Sequence, residues 1–270
     1  MGDADRGQVD SAAAEVYEEF FVPALFGQWP QRLIDMSGLG PGDAALDVGC
    51  GTGVLAKAAK ATVGTKGIVV GVDPNEGMLA VARRSNGSVE WRPGTAEALP
   101  FDDDAFDAVL SQFAMMFFVD RVAAVHEMAR VVKPNGRVVV ATWADLDQTP
   151  GYAAMVAMIG RLFGPEAANA LRAPFSLGDP IELKTLLSAG FDSVEVSLHE
   201  GTARFDSIDS WVHTDIRGWT LTDMIDDDQF EVLRSEARST LGHLAGDDGR
   251  VAFRAPALIA VATDPLMSDR

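Results

Sequence analysis

The chain has 270 residues, enough for one large domain or for one domain with a cap. Its formal net charge is −18, because 40 acidic residues outnumber 22 lysines and arginines. This surplus weighs against nucleic acid and against an anionic membrane surface as partners. The single cysteine, Cys50, excludes an internal disulfide bond. The sequence has neither a signal-type apolar segment at its start nor a run long enough to span a membrane, so we expect a cytoplasmic protein without membrane insertion.

Helical spacing of apolar residues begins near residue 10 and continues to residue 26, and Pro23 is expected to kink this helix. A second short helix is predicted over 30–37 and ends at the glycines that follow it. Both segments are rich in aromatic side chains. These aromatics either pad the edge of a sheet or face a ligand.

Residues 45–55 form the most constrained stretch of the chain, Ala-Leu-Asp-Val-Gly-Cys-Gly-Thr-Gly-Val-Leu. The pattern predicts a buried strand, a turn with glycines at 49, 51 and 53, and the first turn of a helix. Glycine permits positive φ and lets a ligand lie against bare backbone. The helix beginning near Gly53 offers unpaired N–H groups and the positive end of its dipole. The stretch is therefore typical of a loop that binds a nucleotide-type cofactor.

The glycine spacing distinguishes among cofactors. It is G-x-G-x-G after Asp47, not the dinucleotide fingerprint G-x-G-x-x-G, and the Gly-Lys-Ser/Thr of a phosphate-binding loop is absent. The stretch resembles motif I of the class I S-adenosylmethionine-dependent methyltransferases. The resemblance implies S-adenosyl-L-methionine as cofactor and S-adenosyl-L-homocysteine as its product. It also implies that Asp47, Gly49, Cys50 and Gly51 face the amino-acid end of the cofactor.

The second predicted strand, 67–73, ends at Asp73, 20 residues beyond Gly53. A carboxylate at a strand end can accept hydrogen bonds from both ribose hydroxyls, so we assign Asp73 to the ribose. The next helix begins near Pro74, which we also assign to the cofactor site. It carries Met78, which either lines the adenine pocket or packs the helix.

A third predicted strand leads into Gly-Thr-Ala-Glu-Ala-Leu-Pro-Phe at 94–101, which resembles the adenine-contact segment of the family. In relatives an acidic residue after the glycine contacts the adenine amino group, and here that position is Thr95. The N–H of Ala96 would serve a ring nitrogen. Glu97 either replaces the missing carboxylate or is a solvated loop charge.

The fourth predicted strand, 106–112, lies beside the first in this architecture, so its end opens into the cofactor cleft at Gln112 and Phe113. The loop that follows is unusually apolar, which is typical of a segment that covers another group. It either packs in the core or forms a pocket for an apolar acceptor through Met116 and Phe117.

The remaining pattern is less regular. His/Glu-x-x-Arg-Val-Val-Lys-Pro-x-Gly at 126–136 resembles the helix-to-strand signature of the family. The predicted elements are a helix over 120–132, a turn over 133–136, a strand over 137–143, a helix over 152–163, a connection over 164–176, a helix beginning at Pro180, a strand over 194–198, helices within 207–245 and a last strand over 251–263.

The alternation of strands and helices predicts an α/β fold with a doubly wound sheet. The resemblance makes this a seven-stranded Rossmann-like methyltransferase sheet whose seventh strand is antiparallel, with helical lid insertions. We expect three regions, which are an N-terminal helical flap (1–43), a cofactor-binding α/β core (44–146, 179–205 and 247–270) and a helical lid over the acceptor pocket (147–178 and 206–246).

The resemblance implies a methyltransferase, and its small-molecule, quinone-biosynthesis-like branch is the most similar. We expect a small hydrophobic or aromatic acceptor and direct methyl transfer, for which the protein supplies mainly alignment and exclusion of water. Tyr17 is placed nearest the cofactor, and His213, with Asp215 close by, is the candidate base. The residues assigned to the acceptor are Phe21, Met116, Phe117, Arg217 and Trp219.

Other functions were weighed against this one. A chain of this fold could bind the cofactor yet catalyse a non-methylating step such as cyclisation of a natural product, which only product analysis would separate. An NAD-dependent oxidoreductase is disfavoured by the glycine spacing and by the lack of a Tyr-x-x-x-Lys set. Methylation of DNA or protein is opposed by the charge and by Ser-Gln-Phe-Ala at 111–114, where Asn/Asp-Pro-Pro-Tyr would stand. No metal is expected, and a homodimer is one possible assembly.

Overall fold

The computed structural model describes residues 11–85, 87–217, 221 and 224–266. The strands among them are β1 (Ala44–Val48), β2 (Ile68–Asp73), β3 (Glu90–Pro93), β4 (Phe106–Gln112), β5 (Val132–Trp143), β6 (Phe191–His199), β7 (Thr202–Phe205), β8 (Val251–Arg254) and β9 (Ala257–Pro265). Seven of them form one sheet in the order β3-β2-β1-β4-β5-β9-β6, and β7 pairs with β8 in a separate ribbon.

The first five strands of the main sheet pair in parallel. Strand β9 runs antiparallel between β5 and β6. The doubly wound sheet with an antiparallel last strand is thus confirmed.

The helices lie between the strands in chain order. They are α1 (Ser11–Val16), a π-helix (Tyr17–Phe26), α2 (Pro30–Ser37), α3 (Val54–Val63), α4 (Glu76–Ser85), α5 (Arg121–Val131), α6 (Pro150–Phe163), α7 (Pro165–Arg172), α8 (Pro180–Leu187), α9 (Ile208–Arg217) and α10 (Asp227–Thr240). Among the described residues, no helix combines the length and the hydropathy needed to cross a bilayer.

The core lies on the central strands β1, β4 and β5. Val138, Val139 and Val140 follow one another in β5 and are all fully buried. Such continuous apolar runs are typical of parallel strands covered by helices on both faces. Two carboxyl groups, those of Asp47 and Asp73, are also buried, near the end of β1 and at the end of β2. Two buried carboxyl groups at one edge of the sheet mark where the site forms.

The N-terminal segment differs from the predicted kinked α-helix. It is a short α-helix that widens into the ten-residue π-helix containing Pro23. The N–H of Gly27 donates to the carbonyl of Val22 (2.7 Å) and closes this segment. Proline cannot donate the hydrogen bond that an α-helix would require at this point, and the wider turn accommodates it.

Two predicted connections are part of regular elements. The turn predicted over 133–136 lies inside β5, where Phe106 pairs with Val132 but Ala108 pairs with Arg137. The extra residues of β5 form an irregularity between two segments that both pair with β4, so the strand begins earlier than predicted. The connection predicted over 164–176 contains α7, which begins at Pro165. Proline at the first helical position was the available signal.

The predicted strand over 251–263 is two strands in two different sheets. It is broken at Ala255, whose N–H donates to Gly201 (2.9 Å), and at Pro256, whose carbonyl accepts from Ala144 (3.1 Å). Strand β8 pairs with β7, whereas β9 enters the main sheet. The ring of Phe253 in β8 packs on Trp211 of α9, with ring centroids 4.7 Å apart. The ribbon therefore packs against the helices that follow the core, and our division into flap, core and lid stays a prediction.

Candidate active site

A cavity of about 460 Å³ opens at the carboxyl ends of β1, β2 and β4. We call it the cofactor cavity. All thirteen residues predicted to contact the cofactor line it, namely Tyr17, Asp47, Gly49, Cys50, Gly51, Asp73, Pro74, Met78, Thr95, Ala96, Glu97, Gln112 and Phe113. Phe117, predicted for the acceptor, lines it as well. The sequence interpretation did not assign seven further lining residues, which are Thr52, Val54, Leu55, Gly94, Ala114, Phe118 and Val119.

The three glycines of the turn have different roles although all have positive φ. The values are +70° at Gly49, +53° at Gly51 and +88° at Gly53. A Cβ atom at Gly49 would clash with Ala114, and one at Gly53 would clash with the ring of Trp91. A Cβ atom at Gly51 would have no protein atom within 4 Å. Two glycines thus permit close packing of the turn, and Gly51 leaves backbone facing open space in the cavity.

Asp73 is held by the backbone around it. Its Oδ2 accepts a hydrogen bond from the N–H of Gly51 (2.9 Å) and its Oδ1 from the N–H of Asn75 (2.8 Å). Burial raises its pKa to about 6, opposed by these two N–H groups. Each carboxylate oxygen has a second lone pair, so the group can still accept hydrogen bonds from a ribose.

Asp47 is the most deeply buried carboxyl group of the cavity, with 1% of its surface exposed. Burial raises its pKa to about 7, although the N–H of Ala56 donates to its Oδ2 (2.9 Å) and lowers it. A positive charge on a ligand would favour the ionised form of such a group. The electrostatics of this end of the cavity therefore favour a cationic ligand.

Cys50 is buried in the glycine turn. Burial raises the pKa of its thiol well above the ordinary value, and the negative charges of Asp73 and Asp47 raise it further. A thiol in this environment stays protonated and is a poor nucleophile. Its contribution to the site is a small side chain in the turn.

The segment after β3 is tied to the rest of the site by carboxylates. Oε1 of Glu97 accepts from the N–H groups of Val119 (2.8 Å) and Asp120 (3.3 Å). Glu97 therefore joins two loops that both line the cavity. Whether it also contacts adenine stays a prediction.

Two charged side chains of α5, Glu127 and Arg130, hold the same segment after β3 in place. Oε2 of Glu127 accepts from the N–H of Leu99 (2.7 Å), and the guanidinium of Arg130 donates to the carbonyls of Leu99 (3.0 Å) and Phe101 (2.8 Å). The two side chains also bond each other, and the Arg130 hydrogen bond is the main cause that holds the pKa of Glu127 below its usual range. Sequence reasoning noted these residues only as a family signature, although their fixed positions before the turn were the available signal.

Tyr17 comes from the π-helix and forms part of the cavity wall. It is stacked on Phe26 with ring centroids 5.1 Å apart, and burial raises the pKa of its hydroxyl. The preceding segment is anchored by ion pairs of Glu18 with Lys57 (3.0 Å) and of Glu15 with Arg84 (2.8 Å). The N-terminal segment therefore lies against α3 and α4, which begin at the cavity.

A second, smaller space of about 60 Å³ adjoins the cofactor cavity. We call it the aromatic chamber. It shares Tyr17, Phe113 and Phe117 with the cofactor cavity. Its other lining residues are Phe21, Leu25, Phe26, Trp143, Tyr152, Leu171, Pro174, Phe175 and Asp215.

Asp215 is the one carboxyl group lining the chamber in the described part of the chain, and 2% of its surface is exposed. The hydroxyl of Tyr152 donates to its Oδ1 (3.1 Å). Its Oδ2 has no hydrogen-bond partner among the described residues. Burial raises the pKa of Asp215 to about 7, whereas Tyr152 and the nearby indole of Trp211 lower it. The indole N–H of Trp211 is likewise without a partner in hydrogen-bonding geometry among the described residues, although it lies close enough to lower the pKa of Asp215.

Several residues predicted for the acceptor lie elsewhere. Met116 is buried in the core and lines neither space. His213 is exposed and packs edge-on against Phe20 and Phe230. Helical geometry explains this, since residues two apart face nearly opposite sides and Asp215 faces the chamber.

The other two acceptor assignments have different outcomes. Arg217 pairs with Asp227 (2.5 Å), lies over the ring of Phe230 (4.6 Å), and lines neither space. Its assignment, like those of His213 and Met116, is therefore corrected. Trp219 lies outside the described residues.

The residues present fit S-adenosylmethionine. The volume of the cofactor cavity falls in the range of roughly 300–1,000 Å³ that small-molecule sites occupy. Gly51 leaves room for a ligand against backbone, Asp73 can accept from hydroxyls, and Asp47 favours a positive charge. Among the described residues no cluster of His, Cys, Asp and Glu could hold a metal ion.

A protein-family model described as a methyltransferase domain matches residues 46–140. The ubiquinone/menaquinone biosynthesis C-methyltransferase UbiE of Hydrogenovibrio crunogenus is 30% identical over 223 residues, which cover 73% of this chain and 88% of that protein. Several other relatives of the same name align over 52–56% of their own length. These relatives do not favour the cyclisation alternative.

Solved structures agree on the fold. The YcgJ protein from Bacillus subtilis has a TM-score of 0.59 and 26% identity, and the match covers 87% of this chain and 97% of that one. The phosphoethanolamine N-methyltransferase 2 of Haemonchus contortus, in complex with phosphomonomethylethanolamine and S-adenosylhomocysteine, has a TM-score of 0.60 and 18% identity, covering 96% of this chain and 58% of that one. The family-model match, a relative that is 30% identical over most of its length and the fold together show that the chain belongs to the class I S-adenosylmethionine-dependent methyltransferases.

Proposed function

We propose that this methyltransferase methylates a ring carbon of a small quinol, the reduced form of a quinone, bound in the aromatic chamber. The observation that carries the proposal is the boundary between the two spaces. Tyr17, Phe113 and Phe117 line both the cofactor cavity and the chamber, so a ring in the chamber lies next to whatever occupies the cavity.

The wall of the chamber supports a flat, apolar acceptor. Eight of its twelve lining residues are aromatic. Aromatic side chains favour another ring in stacked or edge-on contact, and few polar groups are needed to orient it. The rings of Phe113 and Trp143 are already stacked, with centroids 3.9 Å apart.

The size of the chamber supports a small ring. A space of about 60 Å³ corresponds to a few water molecules, at roughly 10–15 Å³ for each. This is enough for one ring and not for a long apolar tail. Any such tail must leave the chamber along the cofactor cavity or displace part of the chamber wall.

The chemistry of the acceptor supports its reduced form. When bound, S-adenosylmethionine supplies a methyl group that is already activated for displacement. A quinol ring carries electron-donating hydroxyls that make its carbons nucleophilic, whereas an oxidised quinone ring is electron-poor. The chain's own residues then have to hold the ring in line and keep water out, and half-buried Tyr17 and buried Phe113 do both at the boundary. The names of the relatives, which are C-methyltransferases of quinone biosynthesis, agree with a carbon atom as the methylated position.

Three further expectations concern the class of acceptor, the cellular location and the assembly. The charge of −18 supports a small molecule over nucleic acid as the acceptor. A cytoplasmic location and a homodimeric assembly stay predictions.

The test is methyl transfer from methyl-labelled S-adenosylmethionine to pairs of quinones, each supplied with and without a chemical reductant. Mass spectrometry of the product should show one added methyl group on a ring carbon in the reduced samples alone. A hydroquinone with substituents on all four of its other ring carbons is the matched control, because it has no free ring carbon, and it should gain no methyl group on carbon. Labelling of none of the quinols, by protein that binds S-adenosylhomocysteine normally, would contradict the proposal.

A further inference from the structure

We propose that Asp215, oriented by Tyr152, is the base that takes the proton from the acceptor's hydroxyl group in the aromatic chamber. The inference rests on the proposed function, because it requires an acceptor ring with a hydroxyl in that space. It replaces His213, which the structure places away from both spaces.

The geometry provides an acceptor for this proton. Asp215 lines the chamber, and one of its oxygens, Oδ2, has no partner among the described residues. Its other oxygen accepts from the Tyr152 hydroxyl, which fixes the rotation of the carboxyl group. A buried carboxyl oxygen without a donor is costly, and a hydroxyl on the acceptor would supply the missing hydrogen bond.

The position of Tyr152 is itself fixed by packing. Its ring contacts Trp211 edge-on with centroids 5.8 Å apart and Phe253 with centroids 5.6 Å apart. Tyr152 belongs to α6, Trp211 to α9 and Phe253 to β8, so three elements hold the pair. The carboxyl group is therefore presented to the chamber in one orientation.

Stability does not explain this group. No Lys, Arg or His among the described residues forms an ion pair with Asp215, and burial of a carboxylate without a cation is unfavourable. An asparagine would accept the hydrogen bond from Tyr152 without the cost of burying a carboxylate. A buried acid that lines a cleft and has a strongly shifted pKa is a typical functional group.

The proton balance of the step is closed. The O–H bond of the acceptor breaks and the proton moves to Asp215, while the electron pair on the oxygen delocalises into the ring. The ring carbon forms the bond to the methyl group, and the sulfur keeps the electron pair of the broken carbon–sulfur bond. The ring carbon then loses its proton to water, and the ring oxygen takes back the proton from Asp215. One proton is released overall, and no oxidant or reductant takes part.

The protonation state suits this role near neutral pH. Burial raises the pKa of Asp215 to about 7, so the ionised form that can accept a proton predominates above that pH. The other ionisable groups lining the chamber are Tyr17 and Tyr152, and burial raises the pKa of both hydroxyls. Other charged or titratable groups on the neighbouring helices do not line the chamber. Those in ion pairs are Glu18 with Lys57, Arg161 with Glu236, Asp209 with Arg234 and Arg238, and Arg217 with Asp227. Glu19, Glu166, Arg172 and His213 are exposed to solvent.

The experiment compares Asp215→Asn with the parent on two acceptors at saturating cofactor. One is a simple hydroquinone, and the other is a ring-fluorinated hydroquinone that keeps a free ring carbon and whose hydroxyl is already ionised at the assay pH. Asn keeps the acceptor for Tyr152 but cannot take a proton. We expect kcat with the simple hydroquinone to fall by roughly 10²–10⁴-fold, as for loss of a general base. With the ionised acceptor the loss should shrink to a few-fold.

Two further variants separate a base from a structural group. Tyr152→Phe should lower kcat less than Asp215→Asn does. It should also move the acidic limb of the pH profile to higher pH, because the Tyr152 hydrogen bond lowers the pKa of Asp215 and the burial that raises this pKa is unchanged. Asp209→Asn removes a carboxylate on the same helix that is exposed and ion-paired, and it should leave kcat unchanged. Calorimetry with S-adenosylhomocysteine should give the same affinity for all variants within a few-fold.

The outcomes are distinguishable. Equal losses with both acceptors, or full activity of Asp215→Asn with the simple hydroquinone, would overturn the role of Asp215 while leaving the proposed function in place. An acidic limb that persists unchanged in Asp215→Asn would also overturn it. A parent enzyme that methylates no quinol would refute the proposed function, and the inference with it.

Discussion

Substitution of Gly51 by alanine isolates the contact between the glycine turn and the cofactor. In the free protein the new methyl group would have no atom within 4 Å, so the substitution destabilises the fold only through the backbone strain of alanine at φ +53°. For a residue with a Cβ atom this strain is about 1–2 kcal/mol. The methyl group would occupy the space of a ligand lying against the backbone, and overpacking costs about 1–3 kcal/mol. Binding of S-adenosylhomocysteine should therefore weaken by roughly five- to 150-fold.

Gly38→Ala is the matched control for this substitution. Gly38 also has positive φ, at +74°, and a Cβ atom there would meet only Arg137 at an ordinary distance of 3.6 Å. It ends α2 and does not line the cavity.

The assay pairs isothermal calorimetry for S-adenosylhomocysteine with thermal unfolding of the parent and both variants. Gly51→Ala and Gly38→Ala should lower Tm by a similar few degrees, and only Gly51→Ala should lose affinity. Parental affinity in a folded Gly51→Ala protein would refute the reasoning about the turn.

Three further outcomes follow from the same geometry. Asp215→Asn should raise the free energy of unfolding by up to about 4 kcal/mol at pH 8. In the parent, burial raises the pKa of Asp215 from 3.8 to about 7. The contribution of this group to stability is therefore fully present below pH 4 and is lost as the pH rises through 7, and the variant does not lose it. Urea unfolding at both ends of this range should show the gain disappear near pH 4. Thr95→Asp should be tolerated, and its affinity for S-adenosylhomocysteine should stay within tenfold of the parent's. A loss of more than about 1.4 kcal/mol of binding free energy in calorimetry would contradict the assignment of this segment to adenine. Phe21→Ala should lower methyl transfer and keep cofactor affinity within a few-fold, whereas Phe117→Ala should lower both, since Phe117 lines both spaces. If the two variants had the same cofactor affinity and the same turnover, the cofactor cavity and the aromatic chamber would not be separate binding spaces.

Much of the cofactor cavity was predictable because its signals are local. The glycine turn, the acidic end of β2 and the adenine segment are each short motifs at fixed positions after a strand. In a parallel sheet the ends of neighbouring strands meet at one edge, so local motifs are sufficient to assemble a site. For this reason all thirteen assigned residues line one cavity.

The contacts that fix those motifs were not predictable in the same way. Glu97 bonds residues 22 and 23 positions away, and Glu127 bonds Leu99 at a distance of 28 positions. The residues next to Glu97 and Glu127 in the sequence do not predict these distant hydrogen-bond partners. The sequence likewise predicted that Pro23 disturbs the first helix but not that the helix widens into a π-helix.

The assignments of His213 and Arg217 depended on which side of α9 faces the chamber. His213 and Asp215 lie on the same helix, and the sequence pattern of α9 does not show which of them faces the core. The sequence interpretation considered the histidines as candidate bases, whereas the structure exposes His213 and buries Asp215 beside Tyr152 and Trp211. That arrangement joins α6 to α9 across 63 positions of the chain.

The most direct measurement of the central claim is a crystal structure of the protein with S-adenosylhomocysteine and a simple hydroquinone. We expect the cofactor product to lie against Gly51 and Asp73, and the hydroquinone ring to lie between Tyr17 and Phe117 with one hydroxyl on Asp215. A ring bound outside the aromatic chamber, with the chamber closed and Asp215 facing no ligand, would contradict it.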